Sequence, residues 1–251
     1  MSYYSEKYEV MLHDVDAENI ARPSTIARLL QETANHQMRD RKPTYHELFN
    51  EGKSYILVRF AAQIYEAIPP YEKPEVRTWI CPSTGATFKR GYAMYSGEKK
   101  LVDAYSEWGV VNQETGQIFR VREIEFSNYE EGEPVELTLP IRFRIPKELE
   151  MAHCGTKLVG YSDCDMNRHM NNTRYQDMLW DKVPDVEKKR VTGFSLRFMA
   201  GGLLGKEIEI YRGLNNEVIP DDAGGEESWY FKTLIDGNTN VEAILNFENL
   251  K

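Results

Sequence analysis

The chain has 251 residues, 41% hydrophobic and 28% charged, a composition that suits one large globular domain or two small ones. Its formal net charge of −9 argues against non-specific nucleic-acid binding, and no run approaches the roughly 18 consecutive apolar residues of a membrane span. Three cysteines (Cys81, Cys154, Cys164) form neither an even set nor a metal spacing, so a reducing, cytoplasmic setting is expected rather than a disulfide framework.

The first residues, Met1-Ser2-Tyr3-Tyr4-Ser5-Glu6-Lys7, lack the apolar core of a secretion signal, in keeping with that cytoplasmic expectation. A strand is expected at 8–12, then a loop containing His13-Asp14-Val15-Asp16. Ile26, Leu29, Leu30, Thr33, Ala34 and Gln37 follow at helical spacing, an apolar stripe with a polar end. Ser24 is the expected N-cap of this helix. Strand patterns run over 55–64, 75–80, 87–95 and 102–112, and Ser96-Gly97-Glu98 reads as a hairpin. The segment 130–147 is rich in Glu and Pro and reads as a connector.

The same order then repeats. A strand is expected at 157–161, followed by Ser162-Asp163-Cys164-Asp165 and a second amphipathic helix with Tyr175, Met178 and Leu179. Asn171 and Asn172 are its expected caps, and Pro184 must end it. Strands follow at 191–199, 207–211, 229–235 and 241–247, with Asp236-Gly237-Asn238 as the matching hairpin. The acid- and Gly-rich run 221–227 is expected to be a mobile surface loop. Asp14 to Asp163, Asp16 to Asp165, Ile26 to Tyr175 and Leu30 to Leu179 all step by 149 residues. Hairpin turns favour antiparallel meanders over βαβ crossovers. One helix on one curved sheet leaves edges and a face uncovered, whereas two such units can join their sheets. The expected division is therefore 1–130 as an N-terminal repeat, 131–150 as linker and 151–251 as a C-terminal repeat.

The most informative stretch is Tyr161-Ser162-Asp163-Cys164-Asp165-Met166-Asn167-Arg168-His169-Met170-Asn171-Asn172. In an extended segment, Asp165, Asn167 and His169 would share one side. A carboxylate, a carboxamide and an imidazole would then face one volume, just before a helix N-terminus whose free N–H groups suit a developing negative charge. Asp163 reads as a turn residue and Cys164 as core packing. The first-half copy has Glu18 and Ile20 where Asn167 and His169 stand, so only the second half keeps the constellation. Leu29, Leu30, Ile56, Leu57 and Phe60 of the first half are the expected lining of a cleft beside it. No Gly-x-Ser-x-Gly elbow, P-loop or dinucleotide fingerprint occurs, and the histidines make no zinc pattern with the cysteines.

The pattern Ser162, Asp163, Asp165, Asn167, His169, Asn171, Asn172, followed by Tyr175 on a helix, resembles that of the plant and bacterial acyl-acyl carrier protein (ACP) thioesterases. Gln31-Glu32-Thr33-Ala34, Thr78-Trp79 and Ser106-Glu107-Trp108 add to the resemblance, which runs from about residue 8 to about 247. It implies an α+β tandem hotdog fold, with two long helices each packed on a curved antiparallel sheet and the sheets joined. It implies a thioester hydrolase that releases free fatty acid from acyl-ACP in fatty acid biosynthesis, without metal or other cofactor. Asp165, Asn167 and His169 carry the catalytic positions, with Asp165 as base toward water or as direct nucleophile. Asn171, Asn172 and Thr173 are candidates for helix cap and oxyanion donors. The family's further Glu, and the Cys that follows it in the plant enzymes, fall near Ala200 and Gly201 here and are missing.

The implied partner is an acyl carrier protein bearing a phosphopantetheine-linked acyl chain. The basic clusters Arg39, Arg41, Lys42 and Lys188, Lys189, Arg190 are the expected docking places. A homodimer is left open, because the tandem repeat already supplies a paired unit. Two other readings stand beside this one: the same chemistry on acyl-CoA, and a hotdog protein that binds an acyl chain without hydrolysing it.

Overall fold

A computed structural model describes residues 2–126, 128–215 and 227–250. Among these residues, ten strands form a single sheet. They are β1 (Tyr4–Lys7), β2 (Lys53–Ile64), β3 (Glu75–Thr84), β4 (Thr87–Ser96), β5 (Lys99–Asn112), β6 (Ala152–Leu158), β7 (Lys189–Phe198), β8 (Glu207–Leu214), β9 (Glu227–Ile235) and β10 (Asn238–Asn249). The order across the sheet is β1-β3-β4-β5-β2-β7-β10-β9-β8-β6, and neighbouring strands are antiparallel. Each half thus has the same strand order read outward from the β2–β7 joint. The meander hairpins turn at Gly97 and at Asp236-Gly237, with positive φ at all three residues, as tight two-residue connections require.

Helix α1 (Pro23–Asp40) buries Ile26, Leu29, Leu30, Thr33, Ala34 and Gln37, the stripe read from the sequence. It lies over the first half-sheet, and α3 (Tyr175–Trp180) lies over the second. One core, including Leu30, Phe60, Tyr92, Leu179, Phe194 and Phe231, runs continuously through both halves. The opposite face of the sheet is covered by the connector. Val135, Leu137 and Ile141 pack on Trp79, Cys81 and Tyr105, while Phe143, Ile145 and Leu149 pack near Tyr230 and Ile244. Trp79 Nε1 donates to the Glu133 carbonyl at 2.8 Å. Arg142 and Arg59 each donate to the buried Glu107 carboxylate at 2.8 Å. These contacts give the connector the strand-like task of closing a sheet face that would otherwise meet water.

The fold class is the expected α+β double hotdog with joined sheets, but several local expectations change. The first strand lies at 4–7 instead of 8–12, because the chain opposite 8–12 carries Pro69, Pro70 and Pro74, which cannot donate to a ladder. The sixth strand lies at 152–158, and its ladder ends at Leu158, opposite Glu207 where β8 begins. Of the expected loop 221–227, residues 221–226 lie outside the described residues, and Glu227 opens β9. The second helix has six residues rather than a long run, preceded by a single 3-10 turn over Asn172–Arg174. Pro184 disfavours helical backbone at Val183, and Asp185 turns into the left-handed region at φ 50°.

Ser24 is not the cap of α1. Arg22 holds that position and Pro23 opens the helix, where a missing N–H costs nothing. Instead, Asp177 of α3 accepts the Ser24 backbone N–H at 3.0 Å and the Ser24 hydroxyl, so one half caps the helix of the other. Burial raises the Asp177 carboxyl above its ordinary value, opposed by the Ser24 bonds. A raised folded-state pKa gives a contribution that is fully present below the unfolded value of about 3.9 and lost as pH rises through the folded value. Asp177→Asn, which cannot ionise, is expected to gain stability relative to the parent between about pH 4 and pH 7. Paired thermal melts at the two pH values check this, and a difference independent of pH would remove ionisation of Asp177 from the account.

Candidate active site

The Asp-x-Asp segments build the same turn twice. In the first half, Asp16 Oδ1 accepts the N–H groups of Glu18 and Ile20 at 2.9 and 3.0 Å, and Asp16 N donates to the Ile20 carbonyl. In the second half, Asp165 Oδ1 accepts the Asn167 N–H at 2.8 Å, and Asp165 N donates to the His169 carbonyl at 2.9 Å. Asn19 and Arg168 sit at matching places with φ 60° and 61°. The preceding aspartates match too: Asp14 accepts from the Met11 N–H and Asp163 from the Gly160 N–H. Lys157 also donates to Asp163 at 2.7 Å. Asp163 is therefore a turn residue, as read from the sequence. Cys164 packs against the core with its Sγ 3.5 Å from the Gly160 carbonyl.

This turn overturns the alternating geometry. Residues 165–168 form a turn, and the left-handed Arg168 redirects the chain, so simple alternation does not bring all three side chains to one side. Asp165 and Asn167 line a cavity of about 1380 Å³; His169 is not part of its lining. The His169 backbone bridges to Leu203, and its ring lies against Gly201, where an added Cβ would sit 3.0 Å from Cγ and Cδ2. That contact gives a physical reason for glycine at 201. Gly201→Ala is expected to displace the imidazole and lower kcat severalfold while the fold persists, read by turnover together with a thermal melt. Unchanged kcat would separate the ring's placement from the chemistry.

Asn171 and Asn172 also line the cavity. Asn171 Oδ1 accepts both the Thr173 N–H at 2.9 Å and the Thr173 hydroxyl at 2.8 Å. The expected oxyanion donor at Thr173 is thus already bound as part of an N-cap. No carboxylate stands at 200–202: the Ala200 carbonyl accepts from Asn240 Nδ2, and Glu209 instead accepts from Tyr211. Apart from Asp165, the cavity's carboxylates are Glu125, Glu131 and Glu133. Among the described residues, no group of three or more His, Cys, Asp or Glu could hold a metal ion.

Apart from Met166 and the connector residues Glu131, Gly132 and Glu133, the rest of the cavity belongs to the first half. Ala34, Met38, Ile80, Phe88, Trp108 and Phe126 form much of its apolar wall. The expected lining is corrected here. Leu29, Leu30, Leu57 and Phe60 are buried in the main core and Ile56 is exposed, because the dominant helix stripe faces the sheet and leaves only its flank to the cavity. A further helix, α2 (Tyr45–Asn50), was not foreseen. Its signal is a Thr44…Glu47 capping box, in which Thr44 Oγ1 accepts the Glu47 N–H at 3.1 Å and Glu47 accepts the Thr44 N–H at 2.8 Å. This helix brings Tyr45 and His46 to the cavity wall. Burial, and then the negative charge of Asp165, raise the Tyr45 phenol above its ordinary value, so it stays a protonated donor on the cavity wall.

The expected docking cations are engaged within the chain. Arg39 pairs with Asp40, Arg41 with Glu130, Lys42 with Glu47 and Lys188 with Asp185. Lys189 and Arg190 pair with Glu227 and Glu248 and are buried where β7 enters the middle of the sheet. These two cannot meet a docking protein.

A family model of the acyl-ACP thioesterase N-terminal domain matches residues 1–129, and one of the C-terminal domain matches residues 148–249. An acyl-ACP thioesterase from Bacteroides thetaiotaomicron is 21% identical, with 98% of each chain covered and a TM-score of 0.84. The 12:0-ACP thioesterase from Umbellularia californica is 14% identical, with 98% of this chain and 94% of that one covered and a TM-score of 0.81. At these identities the two structures are evidence of a shared fold. No curated protein sequence matches the chain.

Proposed function

This chain belongs to the acyl-ACP thioesterase family and hydrolyses fatty acyl-ACP, and we propose that it does so at Asp165, on a wall of the cavity built largely by the other half. The observation that carries this reading is the position of Asp165. The twin aspartate Asp16 makes the same turn, but only Asp165 opens onto a large cavity with an apolar wall. One carboxylate oxygen is held by the Asn167 N–H. The other takes a proton from water as the water attacks the thioester carbonyl. Asn167 and the Tyr45 phenol supply donors for the carbonyl oxygen as it gains charge. The C–S bond then breaks, leaving the fatty acid and the pantetheine thiolate. A thiolate departs readily, so this modest donor set suffices without a Ser-His-Asp triad. His169 acts as a positioning residue through the backbone bond that closes the turn and the ring contact with Gly201.

In this reading, residues 1–130 supply the acyl cavity, 131–150 the linker and 151–251 the reacting carboxylate. The test is thiol release from acyl-ACP and acyl-CoA across a range of chain lengths, with Asp165→Ala, Asn167→Ala and His169→Ala in parallel. Full turnover by the Asp165 variant would sink the proposed site. Higher kcat/KM on acyl-ACP than on the matched acyl-CoA is the expected carrier preference.

A further inference from the structure

The carrier is a protein and cannot enter the cavity. Only its phosphopantetheine arm and acyl chain pass inside, so the carrier body must rest on the rim beside Asp165. Next to the cavity residues Asp165, Met166 and Asn167, two loops are laced together. Met170 N donates to the Gly202 carbonyl at 2.7 Å, Leu204 N donates to the Arg168 carbonyl at 3.3 Å, and His169 bridges to Leu203. These loops hold large apolar side chains out to water. Tyr161 is 85% exposed, Met166 71%, Leu203 47% and Leu204 43%. Scattered apolar residues on a surface mean little, but a group on loops adjoining a cavity wall, with Met166 itself in that wall, marks an interaction site.

The charges point the same way. In a chain of net charge −9, the six cations of the sequence-level clusters are all tied to carboxylates. Arg168 and Arg174 are exposed and have no carboxylate within ion-pair distance among the described residues. Arg168 lies one residue from Asn167 on the cavity wall. An apolar surface bearing two free guanidinium groups complements a partner that brings a phosphodiester at the outer end of its arm.

We propose that the carrier protein docks on this surface, with Tyr161, Leu203 and Leu204 forming the apolar contact and Arg168 and Arg174 meeting the phosphodiester and its surroundings. The proposal rests on the acyl-ACP reading above. It stands beside the cluster at 39–42, whose Arg39 also lines the cavity, and replaces the one at 188–190, where Lys189 and Arg190 are buried.

The experiment pairs two substrates that carry the same acyl chain: acyl-ACP, and the acyl thioester of N-acetylcysteamine, which has neither carrier nor phosphate. The variants are Arg174→Gln, and Tyr161→Ser with Leu204→Ser. KM for acyl-ACP is expected to rise about tenfold in each variant, the scale of losing one or two rim contacts, with kcat kept. Kinetics on the carrier-free thioester are expected to be unchanged. Raising salt is expected to increase the acyl-ACP KM of the parent more than that of the arginine variant.

Direct binding of ACP bearing its phosphopantetheine but no acyl chain separates docking from turnover. Weakened binding in the variants supports the surface even if no hydrolysis of acyl-ACP is seen, an outcome that would sink the functional reading alone. Unchanged KM and unchanged binding would overturn the proposal. So would equal losses on both substrates, or a parent that is dimeric in sedimentation with variants that are monomeric, which would assign the patch to a second copy of the chain.

Discussion

Replacing Asp165 with alanine is expected to lower kcat on acyl-ACP at least tenfold, toward the ~10²–10⁴ that a positioned general base contributes. The substitution removes two things at once, the base and the acceptor for the Asn167 N–H. Two further variants separate them. Asp165→Asn keeps a side-chain oxygen that can accept that N–H but has no carboxylate to take a proton. Its kcat is expected to fall as far as that of the alanine variant, while its stability stays close to the parent's. Asp165→Ala is expected to lose about 1 kcal/mol of stability, the net worth of an ordinary hydrogen bond. The second control is internal. Asp16 makes the same turn with two N–H groups, so Asp16→Ala is expected to cost about 1–2 kcal/mol and leave kcat nearly untouched. Equal losses of kcat at 16 and 165 would mean that the turn matters and the carboxylate does not.

That pair of aspartates also shows how far the sequence could be read. The 149-residue step, the two hairpins and the α1 stripe all rest on local periodicity and turn chemistry, and all reappear in the sheet order and the buried face of α1. The site was harder because its geometry depends on one dihedral angle. An alternating polar pattern reads as extended only if no residue turns left-handed. Asn19 tolerates that region and hints at the turn in the first half, whereas Arg168 carries no such hint. The first-half wall was illegible for another reason. The apolar residues with the strongest helical period belong to the core, and a cavity is left where the stripe fades, at Ala34 and Met38. Helix α2 did leave a trace in Thr44 and Glu47, but Tyr45 and His46 belong to no motif, and only the fold brings them to the cavity that Asp165 lines.

The β2–β7 joint carries the second large effect. Phe194→Ala is expected to cost about 3–5 kcal/mol, the usual range for deleting a buried phenyl ring. The two half-sheets meet along a short ladder, from Arg59 opposite Arg197 to Gln63 opposite Gly193. The arginines at its end face each other, and each is neutralised by its own carboxylate, Glu107 or Glu242. The ladder therefore gains little from charge, and apolar packing must hold the halves in register. Phe194 is fully buried, and its ring meets Phe60 edge-on at 5.5 Å between centroids, so the deletion removes both area and an aromatic pair. A loss of this size is a large share of the roughly 5–15 kcal/mol that a folded domain has in total.

Urea unfolding distinguishes the ways this can happen. Because one core runs through both halves, the expected result is a single transition with a lower midpoint and an unchanged slope. A split transition, or a reduced slope, would mean that the halves unfold separately once the joint is weakened. Activity followed through the same titration is expected to vanish with the first loss of structure, because the carboxylate and most of the cavity wall lie on opposite sides of this joint. A midpoint equal to the parent's would show that the halves are held together by something other than this ring.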